Sequence, residues 1–510
     1  MFSVLRSPIC IFIILWLILM IAGRSAMFRD PGTFWHVVVG EKILSARQVP
    51  QEDTFSFTSG GQPWVADQWL AEIGMAAVHR MAGWDGLLAV TAAILAGVYT
   101  GIISRMLRAG MHWLLAVMIL ALALLASSHQ FHVRPLVLSM AGLTITFSLL
   151  LDVETGKKPL HRLWWLVLLF ILWTNMHGGV LAGMGSLAFC ILGWCALWVA
   201  GTDSPITSTR HALGMIALIL VSGLGVLINP YGVQLVRAWF VTLSMSLPEI
   251  IQEHRRLDLT SSASWATLGL CSIYGIVLLS TLPKRPKIIW LLPMVFFVLA
   301  VQRIRNEPLF AITASLALAD MLLYSRLTKW LQHREWLSVA SSSSTSEQSG
   351  SGKTPWICLI KLLAPVIVVA GVLCMQATDI SLPVFGRGWA RFDSTCWPVD
   401  LLPALEKINQ ETSPDKERIF NDLRFGGFLI YHTPRLKIFI DDRCPLYGEL
   451  LFLYDFARRQ NPGEIERWQK QYQFHYALVE AGSAFDLYLN QSPRWTLLGR
   501  CAAAALYGQD

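Results

Sequence analysis

Residues 163–200, LWWLVLLFILWTNMHGGVLAGMGSLAFCILGWCALWVA, form a 38-residue apolar run interrupted once by the polar hexapeptide Thr174-Asn175-Met176-His177-Gly178-Gly179. A bilayer core of about 30 Å requires roughly 20 apolar residues per helix. The run therefore reads as two spans joined by a hairpin tip. Irregular polar backbone at such a tip survives only where protein or a wet cavity lines it, so the tip is expected to dip toward the membrane interior. Similar runs recur along the chain, and the spans are expected at 9–23, 87–107, 113–126, 136–151, 163–173, 180–200, 213–228, 265–282, 288–301, 309–324 and 356–375. The composition agrees, with 54% hydrophobic and only 15% charged residues, against about 25% charged in soluble domains. The fold class is a polytopic α-helical membrane protein of about eleven transmembrane helices, followed by a C-terminal soluble α/β domain.

The polar stretches organise this bundle. A transmembrane domain is expected over 1–378, with a first external loop at 24–68 and a cytoplasmic low-complexity linker at 338–353, too poor in apolar surface to pack. Residues 379–510 alternate short β-branched or aromatic runs with polar helical ones, and strands are expected at 418–421, 427–431, 437–440, 475–479 and 495–498. With a cytoplasmic N-terminus, the inner loops carry Arg105 and Arg108; Lys157, Lys158 and Arg162; Arg210; Lys284, Arg285 and Lys287; and Arg326, Lys329 and Arg334. This is the positive-inside pattern, and it places the C-terminal domain outside the cytoplasm. The competing reading of the first span is a cleaved signal peptide, from Arg6, the apolar core and Ser25-Ala26. The net charge of +7 is spread over membrane-flanking loops, so nucleic acid is not an expected partner. The nine cysteines show no metal-ligand spacing, and a disulfide among Cys396, Cys444 and Cys501 is left open.

On this topology the unusual polar residues fall on one face. The first external loop holds Asp30, His36, Glu41, Asp53 and Asp67, with Glu72 just beyond. Later external turns carry His129, His132 and Arg134; Asn175 and His177; Glu249, Glu253 and His254; and Arg303, Arg305 and Glu307. Ionisable groups at membrane depth are costly, and their convergence marks a functional site. Some have plainer readings. Trp35, Trp64 and Trp69 suit an interfacial aromatic belt; His129 and His132 suit helix caps or carboxylate partners; Asn229-Pro230-Tyr231-Gly232 is first a turn; and Asp441, Asp442 and Arg443, at the end of the strand expected at 437–440, are either binding carboxylates or, the plainer reading, pair with each other or cap the next helix. A guanidinium at a span end needs an anion, either an internal carboxylate or a phosphate.

Asp30-Pro31-Gly32-Thr33-Phe34-Trp35-His36, Gly40-Glu41, Asp53-Thr54-Phe55-Ser56-Phe57-Thr58, Trp64 and Trp69-Leu70-Ala71-Glu72 together resemble the first external loop of bacterial membrane glycosyltransferases of the GT-C class, the protein-mannosyltransferase-like group within the dolichyl-phosphate-mannose mannosyltransferase-like superfamily. Arg134-Pro135, Asn175-Met176-His177-Gly178-Gly179, Asn229-Pro230-Tyr231-Gly232, Arg303-Ile304-Arg305, Phe420-Asn421-Asp422 and Ile440-Asp441-Asp442-Arg443 follow in the order such proteins show. The resemblance implies a loop carboxylate, here Asp30, and a polyprenyl-phosphate sugar donor held by cationic side chains. Many members carry two acidic residues where this chain has Asp30 followed by Pro31. That departure leaves metal dependence open, with a divalent ion neither required nor excluded, and makes His36 or Glu41 the next polar group available.

The expected reaction moves a sugar to an acceptor hydroxyl of a glycan, lipid or protein at the outer face of the bacterial cytoplasmic membrane, with inversion. Asp30, His36 and Glu41 are the catalytic candidates, and Asp30 suits a base because burial near the membrane raises a carboxylate's proton affinity. Arg134, Asn175, His177, Arg303, Arg305, Asp67 and Glu72 are the substrate-binding candidates, the arginines matching phosphate oxygens with a planar fork. Membrane lipids surround the spans. The alternatives are a non-enzymatic transporter or flippase, which would usually show repeated halves, and an envelope assembly protein.

Overall fold

A computed structural model describes residues 7–245, 251–282, 285–326, 388–411 and 417–509. The span expected at 356–375, the linker at 338–353, Glu249, Lys284, Lys329 and Arg334 lie outside the described residues. The first part of the chain is helical: α1 (Pro8–Ala26), α2 (Gly32–Ala46), α3 (Trp69–Arg108), α4 (Trp113–Ser127), α5 (Leu136–Glu154), α6 (Trp165–Thr174), α7 (Val180–Val199), α8 (Thr209–Gly225), α9 (Val233–Ser244), α10 (Trp265–Ser280), α11 (Ile288–Gln302) and α12 (Glu307–Met321). Among the described residues six helices are long and apolar enough to cross a membrane: Pro8–Ala26, Trp69–Arg108, Trp113–Gln130, Leu136–Glu154, Val180–Val199 and Ser262–Ser280. Shorter apolar helices occupy Leu160–Thr174, Thr209–Gly225, Val233–Ser244 and Ile288–Gln302.

Three local features position the site. Helix α3 runs 40 residues, but Ala82 and Gly83 leave helical geometry, Gly83 at φ +59°, and kink it. The expected span at 87–107 is only its second half, and the first half carries Glu72 toward the first loop. Helix α1 packs along α3, with the Trp16 indole donating to the Ala89 carbonyl at 3.0 Å. Helix α2 lies so close to α3 that a Cβ on Gly40 would stand 2.0 Å from the Glu72 carbonyl oxygen.

Residues 388–411 and 417–509 form α13 (Leu402–Glu411), β1 (Arg418–Asn421), α14 (Gly426–His432), β2 (Lys437–Ile438), α15 (Glu449–Gln460), α16 (Glu464–Tyr472), β3 (Tyr476–Glu480), α17 (Ala484–Gln491), β4 (Trp495–Arg500) and β5 (Ala504–Gln509). The sheet order is β2-β1-β3-β5-β4, with β1 parallel to β2 and β3, and β5 antiparallel to β3 and β4. The strand expected at 427–431 is the helix α14. A short apolar run bounded by glycines carries no period that separates strand from buried helix, and here Phe428, Leu429 and Ile430 are buried on all sides. Strand β5 was not expected because its Ala-rich start has low strand preference. Cys396, Cys444 and Cys501 are free thiols.

The first loop and the terminal sheet interlock. The Phe57 amide donates to the Ile438 carbonyl at 3.0 Å, and the Ile438 amide to the Phe55 carbonyl at 3.1 Å, so the loop pairs in parallel with the exposed edge of β2. An unpaired strand edge is a liability, and here the loop covers it. Helix α14 rests on the start of α2, where a Cβ on Gly427 would lie 2.1 Å from the Pro31 carbonyl oxygen. Only glycine permits that approach, one residue from Asp30.

Candidate active site

Asp30 sits between α1 and α2. Its Oδ1 accepts from the Gly32 amide at 2.8 Å, which fixes the carboxylate at the start of α2. Arg134 precedes α5, and the neighbouring Val133 amide donates to the Met27 carbonyl at 2.9 Å, tying the two turns together. The Arg134 guanidinium contacts Asp30 Oδ2 and grips both Glu253 oxygens, Nη1 to Oε1 at 2.5 Å and Nη2 to Oε2 at 3.1 Å. Burial works against a charge on Glu253, but the Arg134 and Arg305 guanidinia outweigh it and hold the carboxyl down to about 2. Asp30 is thus a member of an ion pair.

His36, on α2, is buried, with Nδ1 2.9 Å from Glu72 Oε1. Burial, then the nearby Arg134 and His177, push its pKa well below the usual imidazole range, so the ring is neutral. Asp67 lies close to Glu72 and Arg305, and its carboxyl is pushed up to about 6, chiefly by burial. His177 Nδ1 is 2.8 Å from the Ser139 hydroxyl and accepts from the Gly179 amide at 2.9 Å. Asn175 is fully engaged, donating to the Ile171 and Ile228 carbonyls and accepting from the Trp69 indole at 2.9 Å. Glu41 stands apart from this cluster, with the Arg80 Nε 2.6 Å from its Oε2.

The three arginines separate into two kinds. Arg134 has internal anions. Among the described residues, neither Arg303 nor Arg305 has a carboxylate within ion-pair distance, and Arg305 is 3.1 Å from His254 Nε2. Arg303, Arg305 and Arg134 all act on the charge of His254, with burial the larger effect, lowering its pKa to about 4. His129 finds a carboxylate, Glu307, at 3.2 Å, the plainer of its readings. Asn229 and Gly232 form the expected turn, Asn229 Oδ1 accepting from the Tyr231 amide at 2.7 Å and Gly232 at φ +53°. That turn also anchors the first loop, because the Tyr231 hydroxyl donates to the Pro50 carbonyl at 2.7 Å.

The terminal domain enters the same cleft. Arg443 is buried and bridges Asp441, with Nε 3.0 Å from Oδ1, to Asp53 of the first loop, with Nη2 2.8 Å from Oδ1. Its guanidinium carbon lies 4.6 Å from the Trp64 ring centre and 5.0 Å from that of Phe55. Asp442 instead turns toward Asp30: its Oδ1 accepts from the Trp35 indole at 2.8 Å. A Cβ on Gly32 would stand 2.7 Å from Asp30 Oδ1 and 3.1 Å from Asp442 Oδ2, so the two carboxyls flank one glycine. Burial, with the charges of Asp30 and Asp441, pushes the Asp442 carboxyl up to about 8. Trp35, Trp64 and Trp69 each have a polar partner inside the protein: Asp442, Arg443 and Asn175. Sequence reasoning placed Glu253 on the converging face and Asp442 at the end of an expected strand, but named neither among the catalytic or substrate-binding candidates, because their partners lie far away in sequence.

Removing one partner of a buried ion network strands the others, at a cost of about 3–5 kcal/mol. Arg443→Met should therefore lower the thermal stability of the detergent-solubilised protein by that order. A melting curve like that of the parent would show that the Asp53–Arg443–Asp441 bridge does not hold the domains together.

Beside the Asn175 turn, an apolar groove of about 560 Å³ is lined by Trp69, Leu70, Leu168, Ile171, Leu172, Asn175, Leu227, Ile228, Asn229 and Pro230. Among the described residues, no three His, Cys, Asp or Glu side chains are placed to hold a metal ion.

The overall fold is GT-C-like, and the apolar helices fit a polytopic helical membrane protein. It is similar to the Archaeoglobus fulgidus oligosaccharyltransferase in its apo form, with a TM-score of 0.55 and 11% identity, covering 94% of this chain and 69% of that one. It is also similar to ArnT from Cupriavidus metallidurans bound to undecaprenyl phosphate, with a TM-score of 0.50 and 13% identity over 97% of each chain. The apo state of ArnT gives a TM-score of 0.50 with 13% identity, covering 97% of this chain and 96% of that one. No family model and no curated protein matches the sequence.

Proposed function

We propose that the protein is a membrane glycosyltransferase that moves a sugar from a polyprenyl-phosphate donor to an acceptor hydroxyl. The observation that carries this reading is the pair Arg303 and Arg305, which lacks an internal carboxylate partner among the described residues while Arg305 and Arg134 act together on the Glu253 carboxylate. Guanidinia without a carboxylate partner among the described residues suit an anionic ligand with planar oxygen pairs. The apolar groove offers a place for a polyprenyl chain, and the fold is shared with ArnT bound to undecaprenyl phosphate.

In this mechanism Asp30 accepts the proton of the acceptor hydroxyl as its oxygen forms a bond to the anomeric carbon. The bond from that carbon to the phosphate oxygen breaks, and the phosphate leaves as an anion between Arg303 and Arg305. Attack opposite to departure inverts the anomeric centre. Neutral His36, hydrogen-bonded to Glu72, orients without adding charge. His177, Asp67 and Asn175 wall the cleft on the side of the hairpin tip. The acceptor is a glycan, lipid or protein hydroxyl and the sugar a hexose or pentose. The chain is read as an eleven-span protein of a bacterial cytoplasmic membrane with its N-terminus inside, its first 378 residues as the transmembrane domain, and the domain at 379–510 on the outer face.

Purified protein titrated with undecaprenyl phosphate should show saturable binding, and a strain lacking the gene should lose one hexose or pentose from a surface glycan or lipid by mass. A cysteine introduced on the exposed face of α15 should react with an impermeant maleimide from the outside. Absence of both binding and a mass change would overturn the transferase reading, and labelling only after permeabilisation would invert the topology.

A further inference from the structure

Asp442 is brought into the cleft by the terminal domain, from a position 407 residues away in sequence from the Trp35 that binds it. The segment that carries it leaves the sheet after two residues of β2 and is held on both sides, by the loop pairing at Ile438 and by the buried Arg443 bridge to Asp53. This is a rigid support. The neighbouring carboxylate, Asp441, is consumed by Arg443. Asp442 uses one oxygen for Trp35, and its other oxygen, Oδ2, faces Asp30 across Gly32 without a hydrogen bond among the described residues. The residue as a whole is half-buried.

We propose that Asp442 is the second carboxyl of the cleft, paired with Asp30 across Gly32 and in hydrogen-bond contact with the acceptor. This rests on the transferase reading. Two carboxyls flanking one glycine cannot comfortably both be charged. Burial and the charges of Asp30 and Asp441 favour the neutral form of Asp442. The pair therefore divides the work: Asp30, ion-paired to Arg134, accepts the acceptor proton, and Asp442 donates its own O–H to the acceptor and holds it for attack. No proton leaves Asp442 in the transfer. The charges that act on Asp442 are Asp30 and Arg134 from the membrane part and Asp441 from its own segment, with the Cys444 thiol beside it.

The test uses membrane vesicles from the source organism, whose endogenous donor and acceptor lipids are the probe, with product quantified by mass. Asp442→Ala removes the donor and should lower product formation about 10- to 100-fold. Asp442→Asn keeps an acceptor for the Trp35 indole and an N–H donor toward the cleft, and should retain most activity. The wild-type rate should fall as pH rises above 8, because ionised Asp442 loses its donor and repels Asp30; Asp442→Asn should lack this fall. An Asp442→Ala protein as active as wild type, or an Asp442→Asn protein as inactive as Asp442→Ala, would overturn the inference. If Asp442→Ala does not fold, the Asp442→Asn profile decides, and an unchanged alkaline fall overturns it. Vesicles lacking the protein are measured alongside: product formed equally without it overturns the transferase reading itself, whereas product that depends on the protein but is unchanged in Asp442→Ala overturns only the role of Asp442.

Discussion

Asp30→Asn should cut transfer by about 10²- to 10⁴-fold, the usual contribution of a general base, while leaving undecaprenyl phosphate binding near that of wild type. The amide keeps an oxygen for the Gly32 amide, and Glu253 still neutralises Arg134 through its two contacts. The protein should therefore insert and fold. Only the proton acceptor is lost. Near-normal transfer in this variant would remove Asp30 as the base, and the structure narrows where to look next. Glu41 is engaged by Arg80 and Asp53 by Arg443, so Asp67 and Glu72 remain. Asp67, with its carboxyl pushed up to about 6 chiefly by burial, is the better tuned for a base near neutral pH.

Replacing Arg303 or Arg305 with Ala should weaken undecaprenyl phosphate binding by about 10- to 100-fold each, the range of a charged hydrogen bond. Lys at either position keeps the charge but loses the fork, and should recover only part of the affinity. Arg134 should respond differently. Its replacement leaves Asp30 and Glu253 facing each other without a cation, so the defect should include lower stability as well as lost transfer. The comparison is made by titrating the lipid phosphate into each purified variant and recording its melting curve. If the Lys variants at all three positions matched wild type in binding and stability, the arginines would have no phosphate role.

Features governed by local physics were legible in the sequence. Apolar run length marks the helices at 136–151 and 180–200, and the Asn229 to Gly232 turn follows from side chains that bond their own backbone. The kink at Ala82 and Gly83 was not legible, because Gly alone inside an apolar run does not declare a break. The grouping of polar loops could be anticipated from burial cost, but partners could not. Three arginines at span ends look equivalent in one dimension. Whether each meets a carboxylate depends on the placement of Glu253, 119 residues from Arg134. Asp441 and Asp442 are adjacent and identical in type, yet one is spent on Arg443 and the other turned to Trp35. That choice is made by tertiary partners, Arg443 with Asp53 on one side and Trp35 of the membrane part on the other, which no local pattern declares.

The pairing of the first loop with β2 also sets an order of events during synthesis. Thr58 donates to the Phe439 carbonyl across 381 residues of chain, so the loop is made and displayed long before its partner strand exists. Contacts of such long separation form late, since the closure entropy must be met before they contribute. A nascent chain therefore holds the helices and arginines of the cleft while Asp53 lacks Arg443 and Asp30 lacks its neighbour. Chains cut short before Arg443 would present the apolar groove without a finished cleft, and competence for the proposed reaction arrives with the last quarter of translation.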